Sequence, residues 1–425
     1  MTTRITTDNI TDATIGTADL ASSVPLNTQW QAVKTSDFTA VAGEGYFVDT
    51  TSAAVEVTLP ASPNAGDVVV FKDYARTWGT NAVSIASALF DGGTVSQTFS
   101  TNGQTLTLVY MDGTKGWSLI NEDTSTDLGS TFIAATGGTV TTSGDFKIHT
   151  FTGDGCFVVS SLGNQCGAAS TVDYLVIAGG AGGGNSNGGG GGAGGFREGK
   201  DSTLSSPHTA SPFAATTGLT ISATTYPVTV GAGGAGQPGP ELANAGRGRA
   251  GSNSVFSTIT STGGGGGGSG HGGGPFNPGG DGGNGGGGGT NPNTGGAGNT
   301  PPVSPPQGNN GGLGNPTGPH AGGGGGGIGA AGANQSGGNG GAGGNGGTSS
   351  INGTPTTRGG GGGGAGQVSF GSGAPGGGGN GGQGTGAGSA ATANTGGGGG
   401  GGGYPPSAAG GSGGKGLVII RYKYQ

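Results

Sequence analysis

Short runs that alternate apolar and polar residues fill the early part of the chain. Gly45–Thr50, Val55–Leu59, Asp67–Tyr74, Ala82–Ala86, Ser96–Ser100, Thr105–Met111 and Trp117–Ile120 each have strand character. They recur at the spacing of a β-sandwich. Asp112-Gly113 between two of them is a hairpin signal, and Pro60, Pro63, Asn64 and Gly66 mark a turn. Trp30, Phe47, Phe71, Phe99, Leu108 and Trp117 are the expected core. Residues 25–123 therefore read as one small β-sandwich domain.

The pattern then changes. Phe146–Phe151, Cys156–Ser160 and Val172–Ala178 are strand candidates close together. Leu219–Ser222, Tyr226–Val230, Val255–Thr260 and Leu417–Tyr424 are isolated by long glycine-rich stretches. Isolated strands cannot stand alone, so the economical reading is one small sheet interrupted by glycine excursions. Residues 145–425 form this domain, and 124–144 are a linker. Residues 1–24 carry Ile5, Ile10, Ile15 and Leu20 at a spacing of five, which fits neither a helix face nor a strand. They read as an extended attachment segment that orders against partner chains; a frayed terminus is the alternative.

Composition sharpens the question. The chain holds 115 Gly and 21 Pro in 425 residues, most of the glycine after Ile177. Glycine loses the most backbone freedom on folding, so such a tract is either unfolded or held by a lattice that needs the missing Cβ. Charge favours the lattice: only 8% of residues are charged and the net charge is −7, so little self-repulsion keeps the chain open. The non-glycine residues also keep a register of three. In Gly337–Thr348 they are Asn339, Ala342, Asn345 and Thr348; in Pro278–Thr290, Pro278, Asp281, Asn284 and Thr290. Ala178, Ala181, Asn187, Ala193 and Phe196 keep it, as do Asn380, Gln383 and Ser389.

A period of three is that of the polyproline-II helix. Polyglycine in that conformation packs side by side, its N–H and C=O groups bonding between chains. Interior rods must be all glycine, which suits Gly263–Gly268, Gly322–Gly327, Gly359–Gly364 and Gly396–Gly403; surface rods carry side chains on one edge. Collagen would need imino acids over many repeats. A calcium roll would need far more Asp than the single Asp281 that follows Leu242. The fold class is thus all-β plus a polyglycine-II bundle.

The chemistry of catalysis is missing from the pattern. Gly-x-Gly-x-x-Gly matches lack a strand–helix context. Gly413-Gly414-Lys415-Gly416 lacks the rest of a phosphate loop. His149, His208, His271 and His320 have no metal-ligand spacing. No enzyme, metal or cofactor is expected. The acidic balance without Lys/Arg clusters argues against nucleic acid, and no apolar run reaches membrane-spanning length. The start lacks the apolar region of a secretory signal. Cys156 and Cys166 read as free thiols, although a hairpin through Leu162-Gly163-Asn164 could bring them together.

Val172-Asp-Tyr-Leu-Val-Ile-Ala-Gly-Gly180, Ala193-Gly-Gly-Phe-Arg-Glu-Gly199, Tyr226-Pro-Val-Thr-Val-Gly-Ala-Gly-Gly234, Ser254–Gly264 and Gly413-Gly-Lys-Gly-Leu-Val-Ile-Ile-Arg-Tyr422 resemble the glycine-rich domain of phage tail-fibre proteins. Val57-Thr-Leu-Pro-Ala-Ser-Pro-Asn-Ala-Gly-Asp67 and Val109-Tyr-Met-Asp-Gly-Thr-Lys-Gly-Trp117 look like β domains in fibres of marine and cyanobacterial phages. Residues 1–24 resemble segments near the start of fibre chains. The polyglycine bundle is similar to that of T-even-type tip adhesins. The resemblance implies a virion tail fibre, a host-receptor role, a homotrimer, and attachment to tail or neck proteins through residues 1–24.

If each glycine excursion leaves the sheet and returns, its turns form a distal surface. A run goes out over 263–274, turns at 275–278 and returns over 279–289. Another leaves from Ala321, turns near Ile328–Ser336 and returns over 337–347. Later turns lie at Gln367–Ala374 and Tyr404–Ala409. By this parity the Pro-rich stretch Asn291–His320 falls at the base, although it has the composition of an exposed loop. The turns carry Phe276, Asn277, Gln335, Phe370, Tyr404 and Pro405, the candidate contacts for a cell-surface protein or glycan, because aromatics dominate binding hot spots. The alternative for these residues is that they cap the bundle or pack on each other. The alternative function is a structural neck or capsid decoration protein without receptor. An ice-binding role would need flat Thr or Ala rows, whereas the register positions mix Asn, Asp, Gln and Thr.

Overall fold

The computed structural model describes residues 28–120, 132–163, 170–202, 206–239, 246–270, 278–291 and 293–424. Residues 1–24, Cys166, Phe276 and Asn277 lie outside the described residues. The chain divides into two compact units, Met1–Ser130 and Thr131–Gln425. Among the described residues both are built from strands and turns, without helix.

The first unit holds β1 (Gln29–Lys34), β2 (Phe38–Thr39), β3 (Glu44–Val48), β4 (Val55–Thr58), β5 (Val68–Asp73), β6 (Val83–Phe90), β7 (Gly93–Phe99), β8 (Thr105–Asp112) and β9 (Gly116–Leu119). All seven anticipated runs are strands; β1 and β2 are additional. The connectivity differs from a hairpin-built sandwich. Alternate strands enter two parallel ladders, β1-β3-β5 and β2-β4-β6. β8 and β9 bridge them, antiparallel to β5 and parallel to β6. Val48, Val57, Phe71 and Ile85 from both ladders share one core with Leu108 of β8 and with Trp78.

Trp30 was an expected core residue but is 47% exposed. It stacks at 4.5 Å on Phe47, itself only half-buried, on the outer side of the β1–β3 pair. The Asp112 turn is also longer than a two-residue hairpin. The Asp112 carboxylate accepts the amides of Thr114 and Lys115 at 2.8 and 2.7 Å, and Gly116 takes φ +73°.

The second unit begins with β10 (Ala134–Thr136) and β11 (Thr139–Ser143), inside the stretch read as a linker. Next come β12 (Phe146–Phe151), β13 (Gly155–Ser161), β14 (Thr171–Ile177), β15 (Phe196–Gly199), β16 (Leu219–Thr220) and β17 (Thr225–Thr229). The last are β18 (Ser254–Phe256), β19 (Ile259–Ser261), β20 (Gly347–Ser349), β21 (Thr356–Arg358) and β22 (Leu417–Lys423). The expected single sheet is instead two main sheets, β10-β13-β17-β18-β19 and β11-β12-β22-β14-β15, plus the β20–β21 hairpin. The run Val255–Thr260 is itself a tight hairpin, with Ser257 at φ +53°.

Phe157, Val228 and Phe256 of one sheet pack on Val172, Tyr174, Val176, Val418, Ile420 and Tyr422 of the other. The opposite face of β14 and β22 buries Leu175, Ile177, Leu417 and Ile419 with Phe196, Ile328 and Ile351. Covering on both faces is why Leu417-Val-Ile-Ile420 is continuously apolar rather than alternating. β22 lies between β12 and β14, so the end of the described chain locks the sheet.

Between these strands the glycine stretches run out and back as paired legs: 178–184 with 188–195, 231–238 with 246–252, 262–269 with 278–283, and 284–290 with 294–299. The series continues with 308–314 and 321–327, 330–335 and 339–346, 359–366 and 369–375, 378–383 and 386–392, then 396–403 and 408–416. The expected course was wrong in three places, one of them after the turn at 367–374, where the chain makes a further pair, 378–383 with 386–392. The return at 279–289 reverses again at Asn284, and 321–327 runs inward, ending on buried Ile328. A leg needs only about seven residues, so the long glycine runs hold more reversals than their turn residues advertise. The Pro-rich stretch is likewise split: 300–307 lies at the base, where Gln307 accepts the Phe196 amide, and 315–320 is a distal turn.

Successive amides of one leg donate to different neighbours with a repeat of three. In 188–195, Gly188, Gly191 and Gly194 donate to Gly402, Gly399 and Gly396. Gly189, Gly192 and Gly195 donate to Gly268, Gly265 and Thr262, while Gly190 and Ala193 donate to Gly323 and Gly326. Its carbonyls accept from Ala178, Ala181 and Gly184, from Gly287, and from Gly362 and Ala365. This leg thus sits among six others: each of its eight amides donates, and seven of its eight carbonyls accept, that of Gly194 from Asn284 Nδ2. A Cβ on Gly190 would collide with the Gly362 carbonyl.

All four long glycine runs are buried, as expected. Asn339, Ala342, Asn345 and Thr348 are exposed while Gly341, Gly344 and Gly347 between them are buried, so there the register marks a surface leg. In the first excursion it does not: Ala178, Ala181, Asn187, Ala193 and Phe196 are all interior. Asn284 and Thr290 are also buried, because Asn284 Nδ2 donates to Gly194 O at 3.0 Å and its Oδ1 accepts the Asn309 amide at 2.8 Å.

Candidate functional site

The legs share one distal end, opposite the sheets, and their turns are stitched together there. Asn185 is the hub of one side: its Nδ2 donates to Pro238 O at 2.9 Å and its Oδ1 accepts from Ser269 Oγ at 2.7 Å. Ser186 Oγ donates to Ser407 Oγ at 2.6 Å. On another side, His320 N donates to Gln367 Oε1 at 2.9 Å, Ser369 Oγ to Asn339 Oδ1 at 2.8 Å, and Gln383 Nε2 to Val368 O at 2.5 Å. The amides that interrupt the glycine are therefore clamps between turns, a role the sequence did not reveal for Asn185 or Gln383.

Of the candidate contacts, Gln335, Phe370, Tyr404 and Pro405 all fall at this end. Phe370 is 44% exposed, with Val368 at 53% on the same turn, and Leu313, 43% exposed, accepts the Gln335 amide at 3.0 Å. Gln335 is half-buried and its Oε1 has no hydrogen-bond partner. Tyr404 is half-buried and Pro405 exposed. Pro319 and Val368 close over Gly338, which takes φ +83°. Between Gly282 and Gly414 the only Lys, Arg, Asp or Glu is Arg358, which is buried. The distal turns from 291 to 407 thus present apolar, hydroxyl and amide groups and the imidazole of His320, without Lys, Arg, Asp or Glu.

A second constellation lies at the base. Asp173 and Arg421 are cross-strand partners on the face of β14 and β22 that carries Leu175 and Ile419. Both are buried and covered by residues 206–211 and 349–353. Arg421 Nη1 donates to Ile351 O at 3.2 Å and its guanidinium stacks on Phe146 at 4.5 Å. Beside it Glu198 accepts from Ser211 N at 2.8 Å and Ser349 Oγ at 2.5 Å, with Arg358 nearby. Burial pushes the Asp173 carboxyl up to about 6 and also raises Glu198. Burial pulls His208 down to about 3, so its imidazole is neutral.

His208 Nδ1 lies 3.5 Å from Asp173 Oδ2 and 2.8 Å from Ser206 Oγ. Serine and carboxylate thus meet the same ring nitrogen. A nucleophilic relay needs them on opposite nitrogens, so this trio is not arranged as one. Among the described residues no group of three or more His, Cys, Asp or Glu could hold a metal, and no helix is long and apolar enough to cross a membrane. Cys156 is a free, exposed thiol on β13.

The architecture is that of strands holding a glycine-rich bundle. The glycine-rich domain family matches residues 160–423, more than half of the chain, and the chain belongs to that family. No curated protein matches it.

Proposed function

We propose that this chain is a non-enzymatic tail-fibre protein of a phage virion, whose distal turns recognise a host-cell receptor. The observation that carries this reading is the gathering of Gln335, Phe370, Tyr404 and Pro405 at one end of a hydrogen-bonded bundle, with Val368 and Leu313 exposed beside them. Exposed apolar side chains grouped at a rim of polar groups mark interaction surfaces. Turns on a rigid scaffold vary at little cost to the fold. The threefold repeat of hydrogen bonds supports reading the legs as polyglycine-II helices, in which eight residues span about 25 Å. Attachment through residues 1–24 to tail or neck proteins, and a homotrimer, complete the proposal. The resemblance to fibre chains supports both.

The test is binding of the labelled full-length chain to candidate host cells. Phe370→Ala with Tyr404→Ala should abolish saturable binding while leaving the melting temperature in place. Undiminished binding by that folded double variant would sink the assignment of the turns.

A further inference from the structure

We infer that the outer face of the β1-β3-β5-β8-β9 half of the first unit is a contact between copies of this chain. It rests on the homotrimer proposed above and gives that assembly its surface. Strand residues alternate between the two faces of a sheet. Inward, Tyr46, Val48, Val69, Phe71, Leu106 and Leu108 fill the core. Outward, the register builds a second apolar layer. The Trp30 indole lies over Gly45, which pairs with Val70 of β5, and Val70 pairs with Thr107 of β8. Ile120 closes that row, its amide donating to Thr107 O at 3.0 Å. Phe47, in the next row, meets the Tyr74 ring at 6.5 Å. Met111 follows Val109 toward the other end of β8.

Tyr74, Met111 and Ile120 are 57%, 49% and 57% exposed, beside Trp30 at 47%. A large side chain carries about 150–250 Å², so these four leave roughly 400 Å² open. That is about half of the roughly 800 Å² one partner gives to a standard interface, before any rim is counted. The sequence of β5 bears the same mark. Val68-Val-Val-Phe71 is continuously apolar, like Leu417-Val-Ile-Ile420, and the latter strand is covered on both faces. By contrast β4, in the other ladder, alternates, with Glu56 and Thr58 turned to solvent. Among the described residues the outward positions of β3, β5, β8 and β9 hold one charged side chain, Lys72, whose Nζ donates to Gly103 O. Permanent contacts between copies are apolar in this way, whereas contacts that form and break resemble the rest of the surface. An open apolar face is an aggregation hazard from the moment of folding, and the partner always present at that moment is another copy. With so little charge, copies meeting across it set no like charges against each other.

The experiment is sedimentation velocity on the full chain, together with methyl NMR of Met111, one of 2 methionines, in a soluble paramagnetic agent. The parent should sediment as one discrete multiple of the protomer mass, with the Met111 methyl shielded. Tyr74→Arg with Ile120→Arg should weaken association about hundredfold or more, giving single chains with Met111 accessible and circular dichroism unchanged. Glu56→Arg with Thr58→Arg, on the polar face, should leave the mass as it was. If the first double variant unfolds, dilution of the parent decides: Met111 must open as the copies separate. An associated parent whose mass survives the folded double variant would overturn this surface and leave the homotrimer standing. A parent that sediments as single chains would overturn both. Shielded Met111 in such a parent would assign the cover to residues 1–27 of the same chain, and accessible Met111 to a different protein. None of these results bears on the distal turns, which the cell-binding test decides.

Discussion

Adjacent residues of one leg, Gly344 and Asn345, are expected to respond oppositely to the same alanine. Gly344 is buried and donates to Gly325 O at 2.9 Å, while its carbonyl accepts from Gly361 N at 2.9 Å. A Cβ there would overlap the Ala330 carbonyl oxygen and sit 2.6 Å from Gly327 N. Both obstacles are backbone, so no side chain can rotate away and the leg itself must move. Overpacking of this kind costs about 1–3 kcal/mol. The shift also stretches two hydrogen bonds, each contributing about 0.5–1.5 kcal/mol. The entropy that alanine removes from the unfolded chain returns only about 0.4–1 kcal/mol. Gly344→Ala should therefore destabilise by about 2–4 kcal/mol, a fall in melting temperature of several degrees. Asn345 is exposed, and Asn345→Ala should stay within about 0.5 kcal/mol. Differential scanning calorimetry on the purified chain measures both. Equal effects of the two substitutions, or a Gly344→Ala protein as stable as the parent, would refute the lattice argument.

In the first unit, Trp78→Ala should cost about 3–5 kcal/mol because the indole is fully buried, whereas Trp30→Ala on the outer face should cost far less; chemical denaturation separates them. At the base, His208 is held below its unfolded value, so its contribution to stability is present above about pH 6.5 and is lost as pH falls toward about 3. Asp173 acts oppositely, because its raised carboxyl value makes stability fall between about pH 4 and about 6. His208→Asn should therefore remove a loss of acid stability, and Asp173→Asn should remove a decline on neutralisation, both read from melting temperature against pH. The uncharged distal turns predict that receptor binding changes little between low and high salt, since no ion pair is there to be screened. A tenfold fall in binding at high salt would show that charge elsewhere makes the contact.

Much of the fold was legible because strands advertise themselves by alternation. The seven runs of the first unit and the strands at 146–160 and 172–177 were found that way. Their connectivity was not, because nothing local distinguishes a hairpin return from a crossing to the other ladder, and β1-β3-β5 uses crossings. Trp30 misled because aromatic content was read as burial, although β1 pairs with a neighbour on one side only. The register of three correctly marked Asn339, Ala342 and Asn345 as surface. It failed for Ala181 and Asn284, whose small or fully bonded side chains fit the interior. At the distal end the aromatic and proline candidates were visible as interruptions of glycine. Asn185 and Gln383 were not, since their task is to bond other turns and depends on pairings far apart in the chain. The Asp173–Arg421 pair left one trace, a charge inside an otherwise buried strand, but its partners at 206–211 and 349–353 come from separate excursions.

The central claim is that the glycine tract is an ordered lattice rather than an open chain, and hydrogen exchange of residues 188–195 tests it most directly. These amides all donate to neighbouring legs. They should exchange only with global opening, as slowly as those of β22. Exchange at the rate of an unstructured peptide would contradict the account.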